Sequence, residues 1–173
     1  MTFGARLLAI AWLVAAACSP PPRPVPVARP PGAPHFPIVP MHLVATDGAH
    51  GSATRTDIEL RADGSLYVGG QMVGRIAGLR LLDVNGREIF AVIDTPQPVT
   101  LQGRRRRVQV ADTGALLLDE NERIYFDDSG RVVDDRPHQP PAWLFMQMQG
   151  LRPDTLGTGA LMVLFNMIRP TRH

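Results

Sequence analysis

Apolar residues fall along this chain in three rhythms, and each predicts a different structure. The first is an unbroken apolar run of 11 residues from Leu7 to Ala17, including Leu8, Ile10, Trp12, Leu13 and Val14, behind the positive charge of Arg6. That is the length of a secretory h-region and well short of the roughly 20 residues a membrane-spanning helix needs, so removal is expected. The second rhythm has period two. Ile58 and Leu60 alternate with Asp57, Glu59 and Arg61, Asp63-Gly64 turns the chain, and Leu66-Tyr67-Val68 follows, which predicts a hairpin. Turn signals recur at Gly86, Gly114 and Gly130, and between them Arg87 to Ile93, Val99 to Leu101, Arg107 to Val110, Ala115 to Leu118 and Ile124 to Phe126 read as strands. The expected fold class is mainly β, a small antiparallel meander, sandwich or roll built of hairpins. Leu66, Val68, Leu116 and Leu118 are expected to share one core.

The third rhythm is nearly continuous. After Trp143, Leu144, Phe145, Met146 and Met148, the residues from Ala160 to Ile168 are almost all apolar. Thr158 as N-cap and Pro170 as stop predict a short C-terminal helix from about Gly159 to Arg169, with a strand as the other reading of so short a run. Being apolar around most of its circumference, it should be buried against the sheet.

Between leader and strands, residues 19–40 contain ten prolines. Such density favours an extended polyproline-type spacer of about 3 Å per residue, without a core of its own. The chain therefore divides into a signal peptide over 1–17, an N-terminus and proline-rich tether over 18–41, and a β-rich domain with its helix over 42–173. Within the domain, Gly64-Ser65-Leu66-Tyr67-Val68 parallels Gly114-Ala115-Leu116-Leu117-Leu118, and Asp83 to Arg87 parallels Asp127 to Arg131. A drifted duplication and a shared hairpin grammar both account for this.

Composition narrows the chemistry. All 18 basic residues are arginine, which excludes a Schiff-base lysine, a Walker-type phosphate loop and a Ser-x-x-Lys acylating site. Arg6, Arg23 and Arg29 precede the domain, leaving 15 arginines against 16 acids from residue 42 onward. A near-neutral domain lacks the basic surplus of a nucleic-acid binder. The single cysteine, Cys18, rules out an intrachain disulfide.

The leader ends Val14-Ala15-Ala16-Ala17-Cys18, which resembles the lipobox of bacterial lipoproteins, with Ala15 where an aliphatic residue is more usual. Ala15-Ala16-Ala17 also reads as the A-x-A site of an ordinary leader peptidase, cutting the same bond. The resemblance implies lipid on Cys18, a membrane as partner through that lipid, and, with Ser19 following, forwarding to the outer membrane. A soluble exported protein has little use for an exposed N-terminal thiol, which favours lipidation. Residues 57–133 resemble the hairpin-rich part of uncharacterised bacterial lipoproteins through Asp63-Gly64, Val73-Gly74-Arg75-Ile76 and Asp83-Val84-Asn85-Gly86. That resemblance implies no activity and no cofactor.

Other candidate chemistry is sparse. Arg104, Arg105, Arg106 and Arg107 form a charge run expected in a hairpin connection, a candidate anion-binding site for lipid headgroups or an anionic polymer, or simply a solvated turn neutralised by the acids of residues 119–135. Those acids, Asp119, Glu120, Glu122, Asp127, Asp128, Asp134 and Asp135, do not follow the 12-residue calcium-loop pattern. His35, His42, His50, His138 and His173 show no metal-ligand spacing, and Ser52 stands outside any nucleophile elbow. No catalytic residue, metal ligand or cofactor is assigned. The leading expectation is a membrane-anchored envelope lipoprotein acting as a non-enzymatic interaction module for an envelope protein or polymer. The alternatives are an envelope enzyme with a fold-assembled acidic or histidine site, and a binder of anionic polymer through Arg104 to Arg107.

Overall fold

Turn chemistry organises the strands. In the computed structural model, which describes residues 36–47, 54–101, 103–111, 113–119, 122–135 and 145–168, four turns share one hydrogen-bond pattern. The N–H groups of Gly64, Gly86, Gly114 and Gly130 donate to the carbonyls of Arg61, Asp83, Ala111 and Asp127. The N–H groups of those four residues donate in turn to the carbonyls of Ser65, Arg87, Ala115 and Arg131, all at 2.8–3.0 Å. This is the three-residue hairpin loop closed by a left-handed residue, and each glycine supplies the positive φ, 78 to 85°. At Asp83 and Asp127 the carboxylate also accepts the N–H groups two and four residues on, so Asp-x-x-Gly specifies the loop locally.

Twelve strands result among the described residues: β1 Met41–Asp47, β2 Thr54–Leu60, β3 Ser65–Val68, β4 Gln71–Ala77, β5 Arg80–Asp83, β6 Glu88–Ala91, β7 Gln97–Leu101, β8 Arg104–Val110, β9 Leu116–Leu118, β10 Glu122–Phe126, β11 Val132–Asp134 and β12 Phe145–Gln149. They form two antiparallel sheets, ordered β12-β1-β2-β3-β4-β5-β6 and β11-β10-β9-β8-β7. The sheets touch at a seam where Arg131 bridges Gln147 and the Met148 N–H donates to the Gly130 carbonyl at 2.8 Å.

Helix α1, Leu156–Ile168, is buried around nearly its whole circumference, from Leu156 through Phe165 and again at Met167. It contacts both sheets: Phe165 lies against Gly74 of β4, while Gly159 lies against Phe126 of β10 and Leu156 against the turn at Gly114. One core joins Leu43, Ile58, Leu60 and Leu66 of the larger sheet, Val108, Leu116, Leu118 and Ile124 of the smaller, and the helix. The expected core residues Leu66, Leu116 and Leu118 are buried, and Val68 packs against them half-buried.

The helix begins one turn before its expected start. The Thr155 carbonyl accepts the Gly159 N–H at 2.9 Å, so Thr155 occupies the cap position, its hydroxyl engaged with the Arg152 backbone. Thr158, read from sequence as the cap, is fully buried inside the first turn and donates to the Pro37 carbonyl at 2.9 Å. Gly157 and Gly159 disguise that turn because glycine is a poor helix former. Here a Cβ on Gly159 would stand 2.8 Å from Leu151 and 3.1 Å from Phe126, so the absence of a side chain permits the close approach.

Residues 36–41, counted with the tether on proline content, lie against the core: Phe36, Ile38 and Val39 pack on it, and Met41 is buried in β1. The two parallel sequence pairs share turn geometry but not placement. Three strands separate the turns at Gly64 and Gly86, which therefore fall at opposite ends of the larger sheet, whereas two separate their counterparts at Gly114 and Gly130, which fall at one end of the smaller.

Gly103 and Gly114 make a matched pair, both at φ +78°, yet a Cβ on Gly103 meets open space and one on Gly114 collides with the Leu156 side chain. Gly103→Ala should cost about 1 kcal/mol from left-handed strain, and Gly114→Ala roughly a further 1 to 3 kcal/mol from overpacking. Denaturant midpoints at unchanged slope measure both; equal losses would refute the packing of this turn on the helix.

Candidate functional site

The arginine run is part of a strand rather than of a connection. Leu101 pairs with Arg104, which leaves only residues 102–103 as the loop between β7 and β8. Four identical residues hide the period-two signal, so the sequence reading began the strand at Arg107. Alternation along β8 then divides the run. Arg104 and Arg106 share the face of buried Val108 and Val110, opposite Leu101 and Val99; Arg105 and Arg107 lie on the outer face, opposite Thr100 and Pro98.

Arg106 is committed to the architecture. Its guanidinium, 19% exposed, pairs with both Asp119 and Glu122. Asp119 sits in the left-handed region at φ 51°, and one of its oxygens accepts the Arg107 N–H at 2.9 Å while its own N–H donates to the Arg107 carbonyl at 2.8 Å. That backbone N–H is the main reason its carboxyl titrates below the usual range, with Arg106 adding to the effect against partial burial. Burial opposes the Arg106 charge, and the two carboxylates outweigh it, holding the guanidinium above its ordinary value. The cluster clamps β8, β9 and β10 together at one end. Arg104, Arg105 and Arg107 are exposed, and no ion pair joins them to another described residue.

The acidic stretch serves local structure. Beyond Asp119 and Glu122, Asp135 pairs with Arg123 at 3.3 Å. Asp127 closes its own turn, where the Ser129 hydroxyl and the Ser129 and Arg131 N–H groups overcome partial burial and lower its pKa. Among the described residues no three His, Cys, Asp or Glu side chains group to hold a metal ion. His42 is exposed on the outer face of β1, opposite Glu59. Cys18, His35, His50, His138, His173, Ser52 and Glu120 lie outside the described residues.

One concavity was not legible in sequence. At the seam between the sheets, the turn Asp127–Gly130 and the stretch from Gln147 to Pro153 frame a groove of about 480 Å³. Its polar wall includes Asp128, Ser129, Gln149 and Arg152, but Gln147 is spent on the Ser129 carbonyl at 2.6 Å and Arg152 pairs with Asp154 at 3.3 Å. The groove arises where residues about 20 apart meet across two sheets, which no local pattern announces.

The Arg106 clamp has a definite pH signature. Because the Asp119 carboxyl is held below its ordinary value, its stabilisation is present above the unfolded pKa of about 3.9 and disappears as pH falls towards the folded value. Asp119→Asn keeps an oxygen for the Arg107 N–H but loses the charge. The variant should therefore be less stable than wild type at pH 7, and the gap should close as thermal or denaturant unfolding is repeated below about pH 4; a gap constant from pH 7 to 3 would refute the charge pairing. Comparison with family models, with curated proteins and with solved structures finds no match for this chain.

Proposed function

We propose that this chain is an exported lipoprotein of the bacterial cell envelope, anchored through lipid on Cys18, whose β domain is a non-enzymatic interaction module. The address rests on the leader from Leu7 to Ala17, the lipobox-like Val14-Ala15-Ala16-Ala17-Cys18 and the proline-rich stretch that follows. The observation that carries the module reading is the use the domain makes of its ionic groups. Asp57, Glu59, Glu88, Asp119, Glu122, Asp135 and Asp154 each pair with an arginine, and Asp63, Asp83 and Asp127 bind the N–H groups of their own turns. Carboxylates so committed are ill suited to general acid and base work, which needs a proton-exchanging group turned towards a substrate. Surface recognition makes no such demand, and the exposed arginines of the β7–β8 hairpin that form no ion pair with a described residue offer a contact of that kind.

Two acyl chains on Cys18, at about 0.8 kcal/mol per buried methylene, would make detachment from a bilayer negligible. Mass spectrometry of the mature protein should find a lipid-bearing peptide beginning at residue 18. Cys18→Ser should move the protein from the membrane fraction to the aqueous one, or leave it as uncleaved precursor. An unmodified thiol on a freely soluble wild type would sink the proposal.

A further inference from the structure

We propose that the β7–β8 hairpin binds a linear polyanion of the cell envelope through Arg105 and Arg107 on its outer face and Arg104 at its tip. Three observations converge on it. The first is charge: these three guanidinium groups are exposed and form no ion pair with a described residue, Arg107 acting on Asp119 only from beyond ion-pair distance, whereas the fourth, Arg106, has two carboxylates of its own. A guanidinium stays charged throughout the physiological range and engages phosphate or carboxylate through two parallel N–H donors.

The second is spacing. Arg105 and Arg107 are two residues apart on one face of a strand, hence roughly 7 Å apart at the backbone, and they stand on a strand that the Arg106 clamp holds to β9 and β10. A single anion satisfies one of them. A chain carrying anionic groups at repeated intervals satisfies both and releases counterions at each contact. The opposing strand favours contact through side chains rather than backbone: β7 is the last strand of its sheet, and Pro98, opposite Arg107, hinders the addition of another strand.

The third is placement. From Arg104 to Val110, β8 runs about 20 Å and ends at the turn whose Gly114 abuts Leu156 at the start of α1. The proline-rich segment arrives at that same end, with Thr158 bonded to Pro37 and Gly150 beside Pro40. The arginine tip is therefore at the opposite end of its strand from the segment leading to Cys18. This choice of a polymer over the anchoring bilayer rests on the proposed lipid anchor; the binding of anionic groups by the arginines does not.

The test uses the full mature chain in detergent micelles, titrated with long-chain inorganic polyphosphate and, separately, with polyglutamate, to distinguish phosphate from carboxylate recognition. Wild type should bind at least one of them at about 50 mM salt and weaken steeply as salt rises. Arg105→Gln with Arg107→Gln should lower affinity about tenfold or more and flatten the salt dependence by roughly two contacts. Arg75→Gln with Arg80→Gln removes the same net charge from the larger sheet and should change affinity less than twofold. Unchanged melting of both double variants checks their folding, and the salt titration of wild type stands independently of any variant. Absence of binding to either polymer, binding indifferent to salt, or equal losses in the two double variants would overturn the proposal. So would binding of the Cys18→Ser chain to vesicles of anionic phosphatidylglycerol through Arg105 and Arg107 with no binding to either polymer, which would make the bilayer the partner. Lipid on Cys18 is read separately by mass spectrometry, so failure of the anchor and failure of the hairpin are distinguishable.

Discussion

A short helix with no polar face must be covered on every side, and that requirement governs this fold. α1 exposes little beyond Asn166 and Ile168, both half-buried, so one sheet could cover only half of it. Two sheets are needed, and the β strands supply them on either side, with Phe165 against Gly74 in one and Gly159 against Phe126 in the other. The close approaches depend on glycine on both sides of the interface. Each buried leucine of such a core, truncated to alanine, typically costs about 2 to 5 kcal/mol, and Leu161 and Leu164 are fully enclosed. The helix is formed by the last described segment of the chain, so the two sheets cannot complete their core until that segment docks.

Hairpin turns make the wrapping achievable. Most neighbouring strands are consecutive in sequence, and the four glycine-closed loops carry their own hydrogen bonds, so much of each sheet is built from local contacts. The exceptions are informative. β1 pairs with β12, about a hundred residues away, and the Phe36–Pro40 segment reaches the helix through Thr158. These long-range contacts tie the beginning of the domain to its end and add β12 as an edge strand of the larger sheet.

The strands legible in the sequence were those with both a period-two pattern and a turn signal. Ile58 with Leu60, Leu66 with Val68, and Leu116 with Leu118 met both conditions and face the core as read. β1 had the pattern, Met41 and Leu43 against His42, but followed the prolines and lacked a turn to announce it. β11 and β12 are three and five residues long, too short for periodicity to stand out, and β12 reads as an apolar cluster because Met146 and Met148 flank a single glutamine. The helix was legible in type but not in start, since glycines placed for close packing look like a helix break. In the candidate site, the four arginines were visible as a charge run; their division between two faces was not, because alternation cannot be read from identical residues. The seam groove had no sequence signal at all, being the product of how two sheets lie against each other.

The arginine hairpin joins stability to surface charge through one pair of carboxylates. Asp119 and Glu122 more than offset the charge of Arg106 and hold β8 to β9 and β10, while Arg104, Arg105 and Arg107 carry their charges at the surface. Guanidinium groups do not titrate over the range in which proteins fold, so only the acids respond to pH here. As Asp119 protonates, Arg106 loses one of its counter-charges, the hairpin becomes more basic, and the clamp that holds β8 to β9 and β10 weakens. Charge and order therefore move in opposite directions as pH falls. A contact that needs two guanidinium groups at a set spacing gains attraction but loses preorganisation, and the low pKa of Asp119, set mainly by the Arg107 N–H, keeps its share of that exchange below the pH range in which most carboxylates are charged. With no lysine in the chain, no basic side chain of the lysine type is available to shed its proton on the alkaline side either, so the outward charge of the hairpin is constant from mildly acidic to alkaline conditions.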